Sequence, residues 1–340
     1  MTVNNQVTAV GIGSAGIKIV SLLSRRSLLI DRYVYVSCDD GDFSTVDSKD
    51  TILIDSPIDQ KLTPASVRGL ALGSTKRVRE ALEGSDVVFI VAGLGGATGS
   101  GLAPVVASIA QGCGSTAVGV AVMPFEFEKK MKFYAGVSLR RFRSASKGVV
   151  VVDNDTLMRS SPEDTTLANL YDTANKAVVK ALGSLLSRAT ENTKPLGLNK
   201  LLGAVVQDGY SLLGVSSSGA ADKAEDALAG AVVSIGKLAE AREAGHAVVS
   251  LNADESLSAQ EVGLAVGRLG SIMDNKSIDV EYAVDYTGAA QLQVSLLASG
   301  FKSTKYDDYD PLAKVLGDRC LDDEMDTALP GMLEALPSFD

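Results

Sequence analysis

Two glycine clusters carry the first chemical information in this chain. Gly11-Ile12-Gly13-Ser14-Ala15-Gly16 follows a short apolar run, Val7-Thr8-Ala9-Val10, and precedes a stretch of helical character. A glycine-rich turn in that position lets backbone N–H groups approach phosphate oxygens at a helix N-terminus. Alone it suits a dinucleotide, and Asp39 and Asp40, which close the second apolar run, stand about where a ribose-binding acid would sit. The second cluster, Gly93-Leu94-Gly95-Gly96-Ala97-Thr98-Gly99-Ser100-Gly101, lies between the apolar residues 87–91 and a helical stretch at 102–111. A dinucleotide fold does not need it. Repeated glycines remove the Cβ atoms that would stop a chain wrapping an anion, and Thr98 and Ser100 add hydroxyl donors. Two such loops point to a nucleoside di- or triphosphate.

Loops of this kind need a rigid platform. Apolar runs at 7–10, 33–36, 87–91, 117–122 and 149–152 alternate with helix-length segments. Non-alternating, β-branched runs are strands buried on both faces, so the class is α/β: a parallel sheet covered by helices on both sides, over residues 1–165. Residues 166–190 read as one long helix, broken by Glu191-Asn192-Thr193-Lys194-Pro195-Leu196-Gly197 at a domain joint. Beyond it, Leu228, Val232, Ile235 and Leu238 predict a helix over 221–243. Ile278, Val280, Tyr282 and Val284, then Leu292, Val294 and Leu296, alternate with polar residues, which predicts a sheet with one wet face. A smaller α+β domain over 191–303 follows, then an acidic tail, 304–340. The tail is expected to be weakly structured apart from an amphipathic turn carrying Leu329, Met332, Leu333 and Leu336.

Composition removes several classes of function. No stretch of the 340 residues approaches the roughly 18 apolar residues of a membrane span, and Met1-Thr2-Val3-Asn4-Asn5-Gln6 lacks a signal-peptide pattern, so a cytoplasmic location is expected. Three cysteines (Cys38, Cys113, Cys320) and one histidine, His246, make neither a zinc cluster nor a disulfide framework. The net charge is −10, and residues 306–340 hold ten acids against Lys314 and Arg319, leaving the body near neutral. That distribution offers no footprint for nucleic acid, and anionic headgroups would repel the tail. Arg140, Arg141 and Arg143 read as a solvated helix face.

Residues 95–101 resemble the tubulin/FtsZ signature, glycine-glycine-glycine-threonine-glycine-Ser/Thr-glycine, at six of seven positions, with Ala97 in place of the third glycine. The resemblance runs from residue 7 to about 301 and takes in Ala81-Leu82-Glu83-Gly84-Ser85-Asp86 and Pro124-Phe125-Glu126-Phe127-Glu128. It implies a tubulin/FtsZ-like fold: a Rossmann-like GTP-binding domain, a long central helix, a smaller C-terminal activation domain, and head-to-tail assembly. It also implies GTP or GDP as ligand, with Mg2+ reached through the phosphates. The implied contacts are Gly11, Gly13, Ser14, Ala15, Gly16, Asp40, Gly93, Gly95, Gly96, Ala97, Thr98, Gly99 and Ser100 around the phosphates. Glu128 matches the ribose-contacting acid, and Lys132 stands where the family usually has an arginine near the phosphates. Asn154 and Asn175 match the guanine-reading residues, and Tyr171 takes a stacking position usually held by phenylalanine. An amide offers a donor and an acceptor to a base edge, and an aromatic face packs on its plane.

The departures from the family fall where hydrolysis is controlled. Residues 55–73 are shorter than the family's γ-phosphate-sensing loop and lack its glycine-alanine-glycine core. The loop after the central helix, which in the family presents Asn-x-Asp-x-x-Asp to the neighbouring subunit's nucleotide, here offers Gly197, Asn199 and Lys200. No Asp or Glu lies between Glu191 and Asp208. Without acids to orient water, hydrolysis is expected to be weak or absent. Lys200 either aims a cation at the neighbour's phosphates or points into solvent. The expected protein is thus an FtsZ-like, guanine-nucleotide-binding filament former serving division or shape. Its expected partners are itself and, through the tail, a related FtsZ-type protein or a membrane tether. The alternative is a nucleotide-free interaction protein of the same fold regulating a sister filament, because Ile17 and Lys18 replace the family's asparagines and Ala97 adds a methyl. A nicotinamide enzyme fits least, since His246 is far from either loop in sequence.

Overall fold

A computed structural model describes residues 5–46, 48–57, 61–158, 166–191, 193–218, 224–254, 257–286 and 291–310. The amphipathic turn expected at Leu329, Met332, Leu333 and Leu336 lies outside the described residues. The strands are β1 (Val7–Ile12), β2 (Arg32–Ser37), β3 (Thr51–Leu53), β4 (Val87–Gly93), β5 (Thr116–Met123), β6 (Gly148–Asp153), β7 (Thr193–Lys194), β8 (Tyr210–Ser218), β9 (His246–Ala253), β10 (Asp279–Tyr286) and β11 (Leu292–Phe301). The helices are α1 (Gly13–Leu23), α2 (Pro64–Ala71), α3 (Thr75–Leu82), α4 (Ala97–Gly112), α5 (Lys129–Ser144), α6 (Asn154–Leu157), α7 (Leu167–Leu185), α8 (Leu198–Val205), α9 (Ala224–Ile235) and α10 (Ala259–Ile272).

All these strands join one sheet in the order β3-β2-β1-β4-β5-β6-β8-β11-β9-β10-β7. From β3 to β8 every neighbouring pair is parallel, and β11 then runs antiparallel to both β8 and β9. The β-branched runs read as doubly buried strands are so: every residue of β1 and β6 is buried. Two apolar clusters cover the two faces, Ile17, Val20 and Leu23 of α1 with Val178 and Leu182 of α7 on one, Leu102, Val106 and Ala110 of α4 on the other.

The alternation read in the later strands misassigns a face. Gln293 and Ser295 alternate with Leu292, Val294 and Leu296 as expected, yet all five are buried. β11 is interior to the sheet, and the face expected to be wet carries α7 and α8, which pack on β9 and β11. Polar side chains on that face reflect contact between halves of the molecule, not solvent. The helix expected over 221–243 is shorter, ending at Ile235. Leu238, expected on it, is buried beyond its end. Three-residue β3 was not legible as a strand.

Gly16 fixes the seat of α1. A Cβ there would meet the Val91 carbonyl oxygen at 2.2 Å, so only glycine lets the first turn rest on β4. Gly16→Ala is expected to destabilise the protein by about 1–3 kcal/mol through overpacking, read as a lower urea midpoint with an unchanged denaturant slope.

Candidate functional site

β1 and β4 are neighbours in the sheet, and the helices that follow them, α1 and α4, go to opposite faces. Their first turns therefore converge at the carboxyl ends of the strands, the crevice where an open parallel sheet takes ligands. Neither helix start is capped by a side chain: the N-cap residues are Ile12 and Gly96, and neither first turn holds an acid. Their free N–H groups and the positive ends of both dipoles are left for an anion.

The crevice is a cavity of about 560 Å³. Of the residues expected at a nucleotide, Gly13, Ser14, Ala15, Gly93, Gly96, Ala97, Thr98, Gly99, Glu128, Asn154, Tyr171 and Asn175 line it. Gly11, Gly16, Gly95, Ser100, Asp40 and Lys132 are not among the lining residues. Gly11 and Gly16 pack backbone to backbone behind the loop, and Ser100, fully buried, accepts the Gly95 N–H at 2.8 Å and so sets the loop's path. In place of Asp40, the cavity has Asp39 and Asp42. The Asp42 carboxylate accepts from Ser37 Oγ at 2.6 Å, and Asp39 accepts the Gly41 N–H at 2.9 Å. Lys132 is turned away, its ammonium 2.6 Å from Glu126 Oε1 and 5.1 Å from the centre of the Tyr309 ring. The cation that does line the cavity is Lys18 on α1, one helical turn beyond Ser14. As a replacement for the family's asparagine it reads as a loss; its spacing from Ser14 on one helix face is the signal that places it toward the cavity. Ile17, read with it as weakening the site, is wholly buried in the core and faces away from any ligand.

At the other end, Asn154 opens α6 and is buried, and its Oδ1 has no hydrogen-bond partner. A buried amide oxygen left unpaired is unfavourable unless a ligand donor meets it. Tyr171, on α7, donates its hydroxyl to Glu128 Oε1, while Glu128 Oε2 accepts the Phe125 N–H at 2.8 Å. Both carboxylate oxygens are thus held, and the Tyr171 ring meets the edge of Phe125 at 5.4 Å. Burial first, then the Glu128 carboxylate, pushes the Tyr171 hydroxyl up to about 12.

Gly197, Asn199 and Lys200 lie far from this cavity at the start of α8, and the Lys200 ammonium is 2.7 Å from Glu281 Oε2 on β10. Its side chain is 57% exposed, so Lys200 reaches solvent while paired with Glu281. Among the described residues, no group of three or more His, Cys, Asp or Glu could hold a metal ion, and no helix is long and apolar enough to cross a membrane.

Residues 6–162 match the family model described as the Tubulin/FtsZ family, GTPase domain. Over those residues, under half of the chain, the sequence is similar to the tubulin/FtsZ family, and a divergent, FtsZ-like member fits that match. Cell division protein FtsZ 1 of Pyrococcus horikoshii is 30% identical over 229 residues, 65% of this chain and 61% of that protein, so the chain spans under two thirds of that relative's length. Cell division protein FtsZ of Buchnera aphidicola is 27% identical over 317 residues, 90% of this chain and 82% of that protein. Among solved structures, an empty FtsZ dimer from M. jannaschii superposes with a TM-score of 0.76 at 23% identity, covering 87% of this chain and 88% of that one. A GTPγS-bound protofilament of CetZ2 from Haloferax volcanii gives 0.72 at 20% identity, over 97% and 99%. The FtsZ-like chain thus shares the α/β fold over nearly its whole length, while its sequence has moved far from these relatives.

The raised Tyr171 pKa has a definite sign. Folding favours the protonated phenol, so its contribution to stability is full below pH 10 and is lost as the pH rises through about 12. Ultraviolet titration of the wild type minus Tyr171→Phe should give a single phenolate with its midpoint near 12; a midpoint near 10 would remove the Glu128 contact.

Proposed function

We propose that the cavity holds a guanine nucleotide, GTP or GDP, and that the protein is a filament-forming, FtsZ-like cytoskeletal element whose hydrolysis is weak. The observation that carries the reading is one cavity with two uncapped helix N-termini at one end and the unpaired Asn154 Oδ1 at the other. The helix starts, Thr98 and Lys18 would hold phosphate oxygens. Glu128 would accept from a ribose hydroxyl. Asn154 would accept from the N–H groups on guanine's edge, with Asn175 as a second amide contact and the Tyr171 ring beside the base. Asp39 and Asp42 suit a magnesium ion, which takes one or two carboxylates together with phosphate oxygens. When bound, that ion would neutralise phosphate charge.

Self-association is supported by apolar groups around the mouth. Phe127 and Leu167 are 55% exposed, Met131 is 41% and Tyr171 36%. Phe127 stacks on Phe125 at 5.2 Å, and Leu167 lies one turn before Tyr171 on α7. A second copy seated on this rim would bury it and close the cavity. Division of the chain into a nucleotide-binding part to 165, a central helix and a C-terminal part from 191 is part of the same reading, with a cellular role in division or shape. The nucleotide-free alternative loses support because Lys18 adds a cation to the cavity and Ile17 is core.

Mass analysis of the denatured, purified protein should find GDP or GTP, and Asn154→Ala should weaken GDP binding by roughly tenfold, as expected for one buried hydrogen bond. Phosphate release should stay about 100- to 10,000-fold below that of a relative with loop acids; turnover that climbs with protein concentration would overturn the hydrolysis part. Phe127→Glu with Leu167→Glu should abolish sedimentation of polymers while leaving GDP affinity intact.

A further inference from the structure

The segment after β11 stays on the body of the protein, contrary to the expectation of a weakly structured tail from residue 304. Thr304 caps a turn of 3-10 helix, Lys305–Tyr309, in a capping box with Asp307. The Lys305 N–H donates to the Leu238 carbonyl at 2.8 Å, and the turn then crosses to α5. There Gly136 makes room, since a Cβ would come within 2.7 Å of Tyr309. Tyr306 is fully buried, and Asp310 pairs with Arg140 at 2.8 Å. Residues 304–310 therefore form a strap that ties the second half of the chain to the first.

The strap begins beside the residues at the base end of the cavity. Lys305 Nζ lies 3.1 Å from Asp153 Oδ2, and that carboxylate is 1% exposed with its other oxygen, Oδ1, unpaired. Asp153 closes β6 and directly precedes Asn154. Its carbonyl accepts from Thr156 Oγ1 at 2.9 Å, so the carboxylate and the amide belong to one tight corner. A buried carboxylate deprived of its counter-charge must move toward water or take up a proton. Either response would turn the corner and the Asn154 amide with it.

We propose that Lys305 is a positioning residue for nucleotide recognition: by neutralising Asp153 it holds the Asn154 amide toward the base, and the strap thereby senses whether the cavity is filled. The inference rests on the cavity being a guanine-nucleotide site. Linkage makes it reciprocal, because whatever favours the docked strap favours nucleotide, and bound nucleotide favours the docked strap.

The test uses the full chain, with calorimetric GDP and ADP titrations of wild type, Lys305→Met, Lys305→Arg and the double variant Asp153→Asn with Lys305→Met. Lys305→Met should bind GDP about tenfold more weakly and lose its preference for GDP. Lys305→Arg should keep both. The double variant, free of the buried charge, should recover most of the GDP affinity that Lys305→Met loses. An unchanged GDP affinity in Lys305→Met overturns the inference, as does an arginine variant as weak as the methionine one. Hydrogen exchange on the wild type needs no variant to fold: amides of 304–310 should slow when GDP is bound, and identical exchange with and without GDP counts against the strap. If the wild type binds neither GDP nor GTP, the reading of the cavity fails first and takes this inference with it. If it binds GDP but Lys305 does not matter, only the inference falls.

Discussion

Everything about this molecule depends on two helices being allowed to start unusually close to the strands beside them. Gly16 sits where any Cβ would strike the Val91 carbonyl, and Gly99 where it would strike the Gly93 carbonyl at 2.1 Å. Those approaches put the first turns of α1 and α4 side by side at the switch from one face of the sheet to the other. Because neither start is capped by its own sequence, two sets of N–H groups and two dipoles are directed into a single cavity. The glycines act on geometry first: several of them never touch the cavity, yet without them its walls would stand farther apart.

That distinction explains what was legible. The strands of the first half were readable because doubly buried parallel strands show as continuous β-branched runs, and the loops because glycine in a strand-to-helix turn has few other uses. The positions of Asn154, Tyr171, Asn175 and Glu128 around the cavity followed from matching motifs whose backbone context is tightly constrained. What failed were side chains whose direction depends on distant partners. Lys132 was expected at the phosphates, but Glu126 and Tyr309 take its ammonium, and Lys132 in turn lowers the Glu126 pKa through their hydrogen bond. Lys18, read as a loss, faces the cavity. Arg140 and Arg143 of α5, expected on a solvated face, meet the strap and β8 instead: Arg140 pairs with Asp310, and Arg143 lies 4.6 Å over the Tyr210 ring. Contacts between residues 152 or 170 positions apart leave no periodicity in a sequence.

In β11, too, distant partners decide what the strand's own pattern does not. Alternation in Leu292, Val294 and Leu296 correctly sets which residues share a face, because period two is a property of the strand itself. Whether the polar face meets water is a property of the whole fold. In this chain, α7 and α8 lie over that face, so Ser250, Gln293 and Ser299 are buried and each keeps a side-chain oxygen without a partner. The surface between the central helix and the second half of the sheet is mixed, with Val248 and Leu297 in the apolar cluster of α7 and α8 beside these unbonded polar oxygens, which makes it a weaker joint than a wholly apolar one. It gives the strap, which joins the halves on the opposite side of the sheet through Tyr306 and its neighbours, a larger share in holding them together.

In the proposed filament, the loop after α7 is the part that would meet a neighbour's nucleotide, and its side chains would set how far the chemistry can go. Phosphoryl transfer needs water placed and polarised, a task suited to carboxylates, and residues 192–207 supply none. Lys200 is the charged group at the start of α8, and Glu281 already meets it at 2.7 Å. With side chains 57% and 37% exposed, such a pair is worth at most about 1 kcal/mol, so neither partner is locked in place. Yet each alternative leads to the same chemistry. While the pair is closed, the two charges offset each other; once it opens, Lys200 offers a cation that would stabilise phosphate and repel the proton a general base must accept. Glu281 could serve as that base only where the ammonium beside it had been moved away, and the loop that carries the ammonium is the part that would have to approach the ligand. Under the proposed function, a face built this way would favour keeping a neighbour's nucleotide intact over cleaving it.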